Sequence, residues 1–137
     1  MAEKDLLEKT LEEHNDVFAD IVNALGFGGE ELVSPESLKP GPTASIYQDP
    51  DGRKREQHRD VVKYCTQSGV VLALFGLENQ SGEDYDMVFR MMSYDGAAYK
   101  QQKGRGKKYP VISFVLYYGL EHWKAPQSLR EAIVWPD

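Results

Sequence analysis

The fold class is indicated first by residues 70–80, which read Val70-Val-Leu-Ala-Leu-Phe-Gly-Leu-Glu-Asn-Gln80. Side chains alternate between the two faces of a β-strand, so the even-numbered residues lie on one face and the odd-numbered residues on the other. Both sets begin with apolar side chains, so the strand is apolar on both faces. Such strands are typical of a sheet interior that helices cover on both sides. The stretch therefore predicts an α/β protein.

Two helices are predicted around this strand. Residues 4–25 place apolar side chains at alternating spacings of four and three, which draws one helical stripe: Leu7, Leu11, His14, Phe18, Ile21 and Leu25. Residues 86–102 give a second stripe, made of Met87, Met91, Tyr94 and Ala98. Prolines at 35, 40 and 42 exclude a helix in the segment between these two. We interpret that segment as a long connection within one domain, with a domain boundary as the less favoured alternative.

Three further strands are predicted, at residues 43–48, 53–65 and 109–118. Turn-forming residues separate the first three strands of the chain, at 49–52 and 66–69. The order is then helix, three meandering strands, helix, strand. A helical crossover before the last strand makes that strand parallel to the one at 70–80, with a right-handed connection. The fold class is therefore α/β, with a mixed sheet flanked by helices, and residues 1–137 form one domain.

Composition narrows the class of protein. The chain has 137 residues, 41% of them hydrophobic, which suits one domain with a buried core. Its net charge of −6 argues against a general nucleic-acid-coating protein but allows a local basic groove. No apolar run reaches the roughly 20 residues that span a bilayer, and the acidic N-terminus does not resemble a secretory signal. The single cysteine, Cys65, excludes an internal disulfide and a cysteine cluster for zinc. We expect a cytoplasmic protein without a membrane partner.

Acidic side chains stand at the ends of two predicted strands. Glu78 and Gln80 close the strand at 70–80 on one face, and Asp60 precedes an apolar run in the strand before it. Two carboxylates that converge from adjacent strands would suit a hard cation such as Mg²⁺ or Mn²⁺. Acids at strand ends are also common as solvated residues, and this alternative remains open.

The chain resembles the PD-(D/E)xK nuclease superfamily and, more narrowly, the Rpn family, also labelled YhgA-like putative transposases. The likeness spans nearly the whole chain and rests on five segments: His14-Asn-Asp-Val-Phe18, Arg59-Asp-Val-Val62, Gly76-Leu-Glu-Asn-Gln80, Tyr94-Asp-Gly96 with Tyr99 and Gln102, and Tyr109-Pro-Val-Ile-Ser-Phe-Val-Leu-Tyr-Tyr-Gly119. Family members usually continue beyond this length, so the resemblance indicates a chain truncated at the C-terminus or a short relative.

The resemblance implies a restriction-endonuclease-like αβββαβ core and a catalytic set of Asp60, Glu78 and Gln80. In it Asp60, Glu78 and the Asn79 carbonyl would bind Mg²⁺ or Mn²⁺. Gln80 stands where the superfamily more often has lysine, and a neutral amide can hydrogen-bond but cannot offset charge. Relatives often have an acid where Asn15 stands, so Asn15 is a weak candidate ligand from the first helix. Strand-transfer chemistry would call for a third carboxylate, which the sequence does not place.

Two basic segments, both expected to lie near Asp60 and Glu78, suit DNA phosphates as a partner. One is the turn after the second helix, and the other, at residues 53–59, leads up to Asp60. The predicted contacts are Arg59, Lys103, Arg105, Lys107 and Lys108. A solvated mobile turn is the alternative for residues 103–108. The leading function is a metal-dependent DNA endonuclease linked to recombination or mobile elements, and the rival is a non-catalytic binding or regulatory domain on the same fold. The sequence leaves open whether the chain forms a homo-oligomer.

A shared metal also requires a particular strand register. Facing residues of an antiparallel hairpin lie on the same face of the sheet. With Cys65 opposite Val71, Asp60 would face Gly76, and Glu78 would be its diagonal neighbour at about 7–8 Å. We expect either this register, with room for the ion above Gly76, or a one-residue bulge in the second strand near Asp60.

Overall fold

The computed structural model describes residues 2–136. The helices are α1 (Ala2–Glu12), α2 (Asn15–Gly26), α3 (Met87–Lys100) and the short α4 (Leu129–Ala132), with a 3₁₀ turn at Pro35–Ser37. The strands are β1 (Leu38–Pro40), β2 (Ala44–Gln48), β3 (Lys54–His58), β4 (Val61–Gln67), β5 (Val70–Gln80) and β6 (Val111–Tyr117). No helix within these residues is both long and apolar enough to cross a membrane.

The main sheet has the order β1-β4-β5-β6. β4 and β5 form an antiparallel hairpin, whereas β5 and β6 run parallel and are joined through α3. The α/β class and the mixed sheet are therefore confirmed, with β5 in its interior as its two apolar faces predict. One face of the sheet packs on α2 through Phe18, Val22 and Phe75. The other face packs on α3, where Leu74 and Ala98 belong to one buried cluster.

The predicted helix at 4–25 is two helices, and its apolar stripe is wrong in the first half. Leu7 and Leu11 are more than half exposed, because α1 does not lay this stripe on the sheet. The buried side of α2 is formed instead by Phe18, Ala19 and Val22. The continuous periodicity in the sequence hid the break at residues 13 and 14.

The predicted strand at 53–65 is also divided in two. Its first part is β3, which pairs with β2 in a separate two-stranded ribbon, and its second part is β4 of the main sheet. The chain leaves strand geometry at Arg59 and Asp60, where the Arg59 side chain turns into the protein interior. The three predicted strands therefore do not form one meander. The edge position beside β4 is taken by β1, a short strand that the sequence did not predict.

Candidate active site

The register of the β4–β5 hairpin brings Asp60 next to Glu78. A two-residue turn with positive φ at Ser68 and Gly69 closes the hairpin, with Gln67 opposite Val70. The register then shifts by one residue, so that Cys65 faces Ala73 and Val61 faces Leu77. The extra residue lies in β5, at Leu72, between the partners of residues 65 and 66.

The expected register is therefore wrong in detail. Cys65 does not face Val71, and the bulge lies in β5 rather than in the second strand near Asp60. Continued one residue beyond the Val61–Leu77 pair, the observed register sets Asp60 opposite Glu78, closer than the diagonal placement that we predicted. A one-residue bulge in either strand shifts the pairing beyond it by one position, which brings Asp60 and Glu78 from opposite faces of the sheet to the same face. A bulge in β5 therefore has the same effect on the two acids as the bulge that we expected in the second strand.

Direct hydrogen bonds hold Asp60, Glu78 and Asn79 together. The backbone amide of Asp60 donates to Glu78 Oε1 at 3.2 Å, and the backbone amide of Asn79 donates to Asp60 Oδ2 at 2.7 Å. Glu78 is 1% exposed, and this burial raises its pKa above the ordinary range for a carboxyl group, although Arg59 lowers it. The three residues that the resemblance assigns to a metal thus meet at the carboxyl end of β5.

Arg59 does not lie at the surface, in contrast to its predicted contact with DNA phosphates. Its side chain is 5% exposed, and its Nε donates to Glu78 Oε2 at 3.1 Å. A second nitrogen donates to Ser113 Oγ at 2.7 Å, and the guanidinium lies 5.0 Å from the centre of the Tyr94 ring. The guanidinium also fills the space above Gly76, where a Cβ would clash with it. The room that we expected for a metal ion above Gly76 is occupied by this cation.

Glu12 is a fourth residue of the site, and the sequence reasoning missed it. It is fully buried at the end of α1, and its Oε1 accepts a hydrogen bond of 2.6 Å from the side-chain amide of Asn79. Burial raises the pKa of Glu12 to about 7. The hydrogen bond from Asn79 opposes this increase, and the negative charges of Glu8, Asp60 and Glu78 add to it. Glu12 therefore adds a third acid beside Asn79, although among residues 2–136 no three acids form a group that could hold a metal ion. Its position in an acidic run, Leu11-Glu-Glu-His14, is typical of a solvated helix face and gave no signal.

Asn15 contacts residues of β1 and β4, whereas Gln80 lies next to the two acids. The Asn15 side chain accepts from the Lys63 ammonium group and donates to the Leu38 carbonyl, so it is engaged with β1 and β4. Gln80 ends β5, partly buried, two residues beyond Glu78. Strand alternation puts Gln80 on the face of Glu78, as the sequence predicts.

The basic turn lies at the opposite end of the sheet. Its lysine and arginine residues, Lys103, Arg105, Lys107 and Lys108, are all exposed. The turn precedes Val111, which faces Leu74, whereas Glu78 faces Val115. Because β5 and β6 are parallel, these two points are separated by about 13 Å along the strands. The expectation that both basic segments lie near the two acids is therefore wrong for this turn.

The donor set suits a hard divalent cation, since it offers carboxylate and amide oxygens. Two of these oxygens, Glu12 Oε2 and Asn79 Oδ1, are buried and have no hydrogen-bond partner among residues 2–136. Buried polar atoms are seldom left unpaired, so these two are the feature of the site that favours a ligand. Across the same residues, no group of three or more acidic, histidine or cysteine side chains is arranged so that it could hold a metal ion. The residues thus fit a cation by chemistry, while Arg59 holds one oxygen of Glu78.

Comparison with known proteins gives a family. The chain matches the family described as putative transposase, YhgA-like, over residues 32–137. The match includes Asp60, Glu78 and Gln80, whereas Glu12 precedes it. No curated protein and no solved structure matches the chain. Because the match covers most of its length, the chain belongs to the YhgA-like putative transposase family.

Proposed function

We propose that this protein is a metal-dependent DNA endonuclease that hydrolyses phosphodiester bonds and is linked to recombination or mobile elements. The observation that carries the proposal is the meeting of Asp60, Glu78 and Asn79 at the end of β5, with the buried Glu12 carboxyl group bonded to the same asparagine. The description of the family as transposases supports DNA as the substrate.

Asp60, Glu78 and the Asn79 carbonyl would hold the ion, and Glu12 Oε2 offers a further oxygen. A bound Mg²⁺ or Mn²⁺ supplies Lewis-acid stabilisation of a phosphodiester and a water of lowered pKa. The protein's own groups do the positioning. The backbone amide of Asn79 orients the Asp60 carboxylate, and the backbone amide of Asp60 orients the Glu78 side chain. Gln80 is restricted to hydrogen bonding, because its amide carries no charge.

A specific observation favours the rival function, a non-catalytic nucleic-acid-binding or regulatory domain. The Arg59 guanidinium already neutralises Glu78, and it would have to yield or share this carboxylate for an ion to bind there. The neutral side chain of Gln80 also favours the non-catalytic function. In the rival function, the buried Arg59–Glu78 ion pair is a structural contact, and the protein keeps the fold without cleaving DNA.

Cleavage of a labelled DNA duplex in Mg²⁺ separates the two functions. We expect Asp60→Ala to abolish cleavage while thermal unfolding still shows a cooperative transition, since Asp60 lies partly exposed at the rim and contributes little apolar packing. Glu83→Ala is the matched control, because Glu83 is another partly buried acid outside the site. Cleavage that persists in Asp60→Ala and in EDTA would exclude the proposed function. A wild type without cleavage would leave the rival in place.

A further inference from the structure

The last strand of the main sheet, β6, leaves backbone groups unpaired along its outer side. The Leu74 N–H donates to the Pro110 carbonyl at 2.9 Å, and β6 pairs with β5 in parallel from there. Even-numbered residues of β6 therefore turn their N–H and C=O groups toward β5, and odd-numbered residues turn them away. The outward groups of Ser113, Val115 and Tyr117 have no hydrogen-bond partner among residues 2–136. We call these groups the β6 edge.

The other edge strands of residues 2–136 carry features that discourage pairing with another chain. β1 is three residues long and contains Lys39 and Pro40. In the ribbon, β3 has the largely charged sequence KREQH, and β2 has five residues, of which Ser45 and Gln48 are polar. Short, charged or proline-containing edges are the usual protection against pairing between chains. β6 has seven residues, VISFVLY, with no charge and no proline, so its edge lacks this protection.

The β6 edge is complementary to itself. In an antiparallel pair centred on Val115, this residue would face Val115 of a second copy, and Ser113 would face its Tyr117. Every outward group of these residues would then be used, in about six backbone hydrogen bonds. On the other face of the sheet Phe114 would lie opposite Leu116, and aromatic–aliphatic pairs of this kind stabilise a sheet. No like charges meet along the pair, because β6 carries none.

The charges that flank β6 also favour a second copy. Lys107 and Lys108 precede the strand, Glu121 follows it, and all three are exposed. Since paired strands run in opposite directions, the two lysines of one copy would lie at the end where Glu121 of the other copy is found. Leu120, whose side chain is fully exposed, lies at this end as well and would be covered beside Pro110 of the second copy.

We propose that two copies of the chain join through the β6 edge and form a dimer with one continuous sheet, four strands from each copy. Glu78 faces Val115, through which the twofold axis passes. The Cα atoms of the two Glu78 residues are therefore three strand spacings apart, about 14 Å, on the same face of the joined sheet. The dimer brings its two candidate active sites to one side of the molecule.

Val115→Pro tests the edge and leaves the ladder between β5 and β6 intact. The Val115 N–H points away from β5, and proline is tolerated where the missing N–H would face outward from an edge strand. Ile46→Pro is the matched control. The Arg59 N–H donates to the Thr43 carbonyl, so odd-numbered residues of β2 bond to β3 and Ile46 turns its N–H outward. Both variants should retain a cooperative thermal transition.

Sedimentation velocity over a series of micromolar concentrations, in EDTA and without DNA, measures the association. We expect the wild type and Ile46→Pro to approach twice the mass of the chain as the concentration rises. Val115→Pro should associate at least about tenfold more weakly, because both copies lose a hydrogen-bond donor at the centre of the interface.

Cross-linking tests the register separately and does not depend on a proline. Facing residues of antiparallel strands have Cα atoms about 5.5 Å apart, which is within the range of a disulfide. Cys65→Ser/Val115→Cys should therefore form a disulfide-linked dimer on mild oxidation. Cys65→Ser/Ile46→Cys, with its cysteine at an exposed position of β2, should remain largely monomeric.

A wild type that is monomeric at every concentration would overturn the dimer, and the edge would then be left to a strand of another protein. Equal association of Val115→Pro and the wild type, or equal cross-linking of the two cysteine variants, would overturn the assignment to β6. Neither measurement uses DNA or a metal ion. Failure of the dimer is therefore distinct from failure of the endonuclease.

Discussion

Arg59 Nε lies 3.1 Å from Glu78 Oε2, and both side chains are at most 5% exposed. A buried ion pair of this kind gains little net stability, because both charges lose their hydration. Removal of one partner is nevertheless costly, since it leaves the other charge buried and alone. The pair therefore fixes the position of Glu78, and it also makes the protein's own cation the competitor of any metal ion at this carboxylate.

The first prediction concerns Gly76, which leaves space for this guanidinium. Gly76→Ala would place a Cβ against the Arg59 guanidinium, which Glu78 and Ser113 hold in place. We expect a loss of about 1–3 kcal/mol in the free energy of unfolding, as is usual for overpacking. Gly82→Ala is the control, because nothing lies within 4 Å of a Cβ there. Urea denaturation measures both, and equal stability of the two variants would contradict the tight fit.

The pH dependence of stability should reveal Glu12. Its pKa is about 7 in the folded protein, against an ordinary value of 4.5. Between these pH values the folded state holds a proton that the unfolded state has lost, so stability should fall as pH rises through this window. Each pKa unit corresponds to about 1.4 kcal/mol.

Glu12→Gln should remove this contribution, because a neutral amide can still accept the hydrogen bond from Asn79. At pH 8 and in EDTA, we expect the variant to be more stable than the wild type by about 1–3 kcal/mol, and its stability to change less between pH 5 and 8. Glu13→Gln, at an exposed neighbouring position, is the control. A wild type whose stability rises over this range, or an unchanged slope in Glu12→Gln, would show that Glu12 is not a buried neutral acid.

Neutralisation of the basic turn should weaken duplex binding. We expect replacement of Lys103, Arg105, Lys107 and Lys108 by alanine to lower the slope of log K against log salt by about 0.9 for each phosphate contact that is lost. Lys39→Ala/Lys124→Ala, which removes two exposed lysines outside the turn, is the control for loss of charge elsewhere. If the slope of the turn variant equals that of the wild type, the turn is a solvated connection, which is the alternative that the sequence left open.

The elements that the sequence predicted well are those whose signal is local. β5 is apolar on both faces, α3 buries Met87, Tyr94 and Ala98 as its stripe indicates, and the turn before β5 contains the expected glycine. The parallel β5–β6 pair followed from the helical crossover between the two strands. In each case a few neighbouring residues carry enough information to fix the element.

The parts that the sequence did not predict depend on partners far along the chain. Arg59 appears in a basic run, and its burial is set by Glu78, 19 residues later. Glu12 appears in an acidic run, and its partner Asn79 lies 67 residues away. Charged residues next to other charged residues are normally solvated, so local patterning indicates the wrong environment for both. The predicted Asp60–Glu78 proximity depends on the hairpin itself, because its pairing together with the bulge at Leu72 sets the two acids opposite each other.

If Asp60 and Glu78 hold a divalent cation, calorimetric titration with Mn²⁺ should distinguish the wild type from Asp60→Ala. Glu83→Ala serves as the control for loss of an acid elsewhere. We expect saturable binding of about one ion to the wild type and to Glu83→Ala, and no such binding to Asp60→Ala. An equal heat of binding in Asp60→Ala, or no binding to the wild type, would contradict the claim.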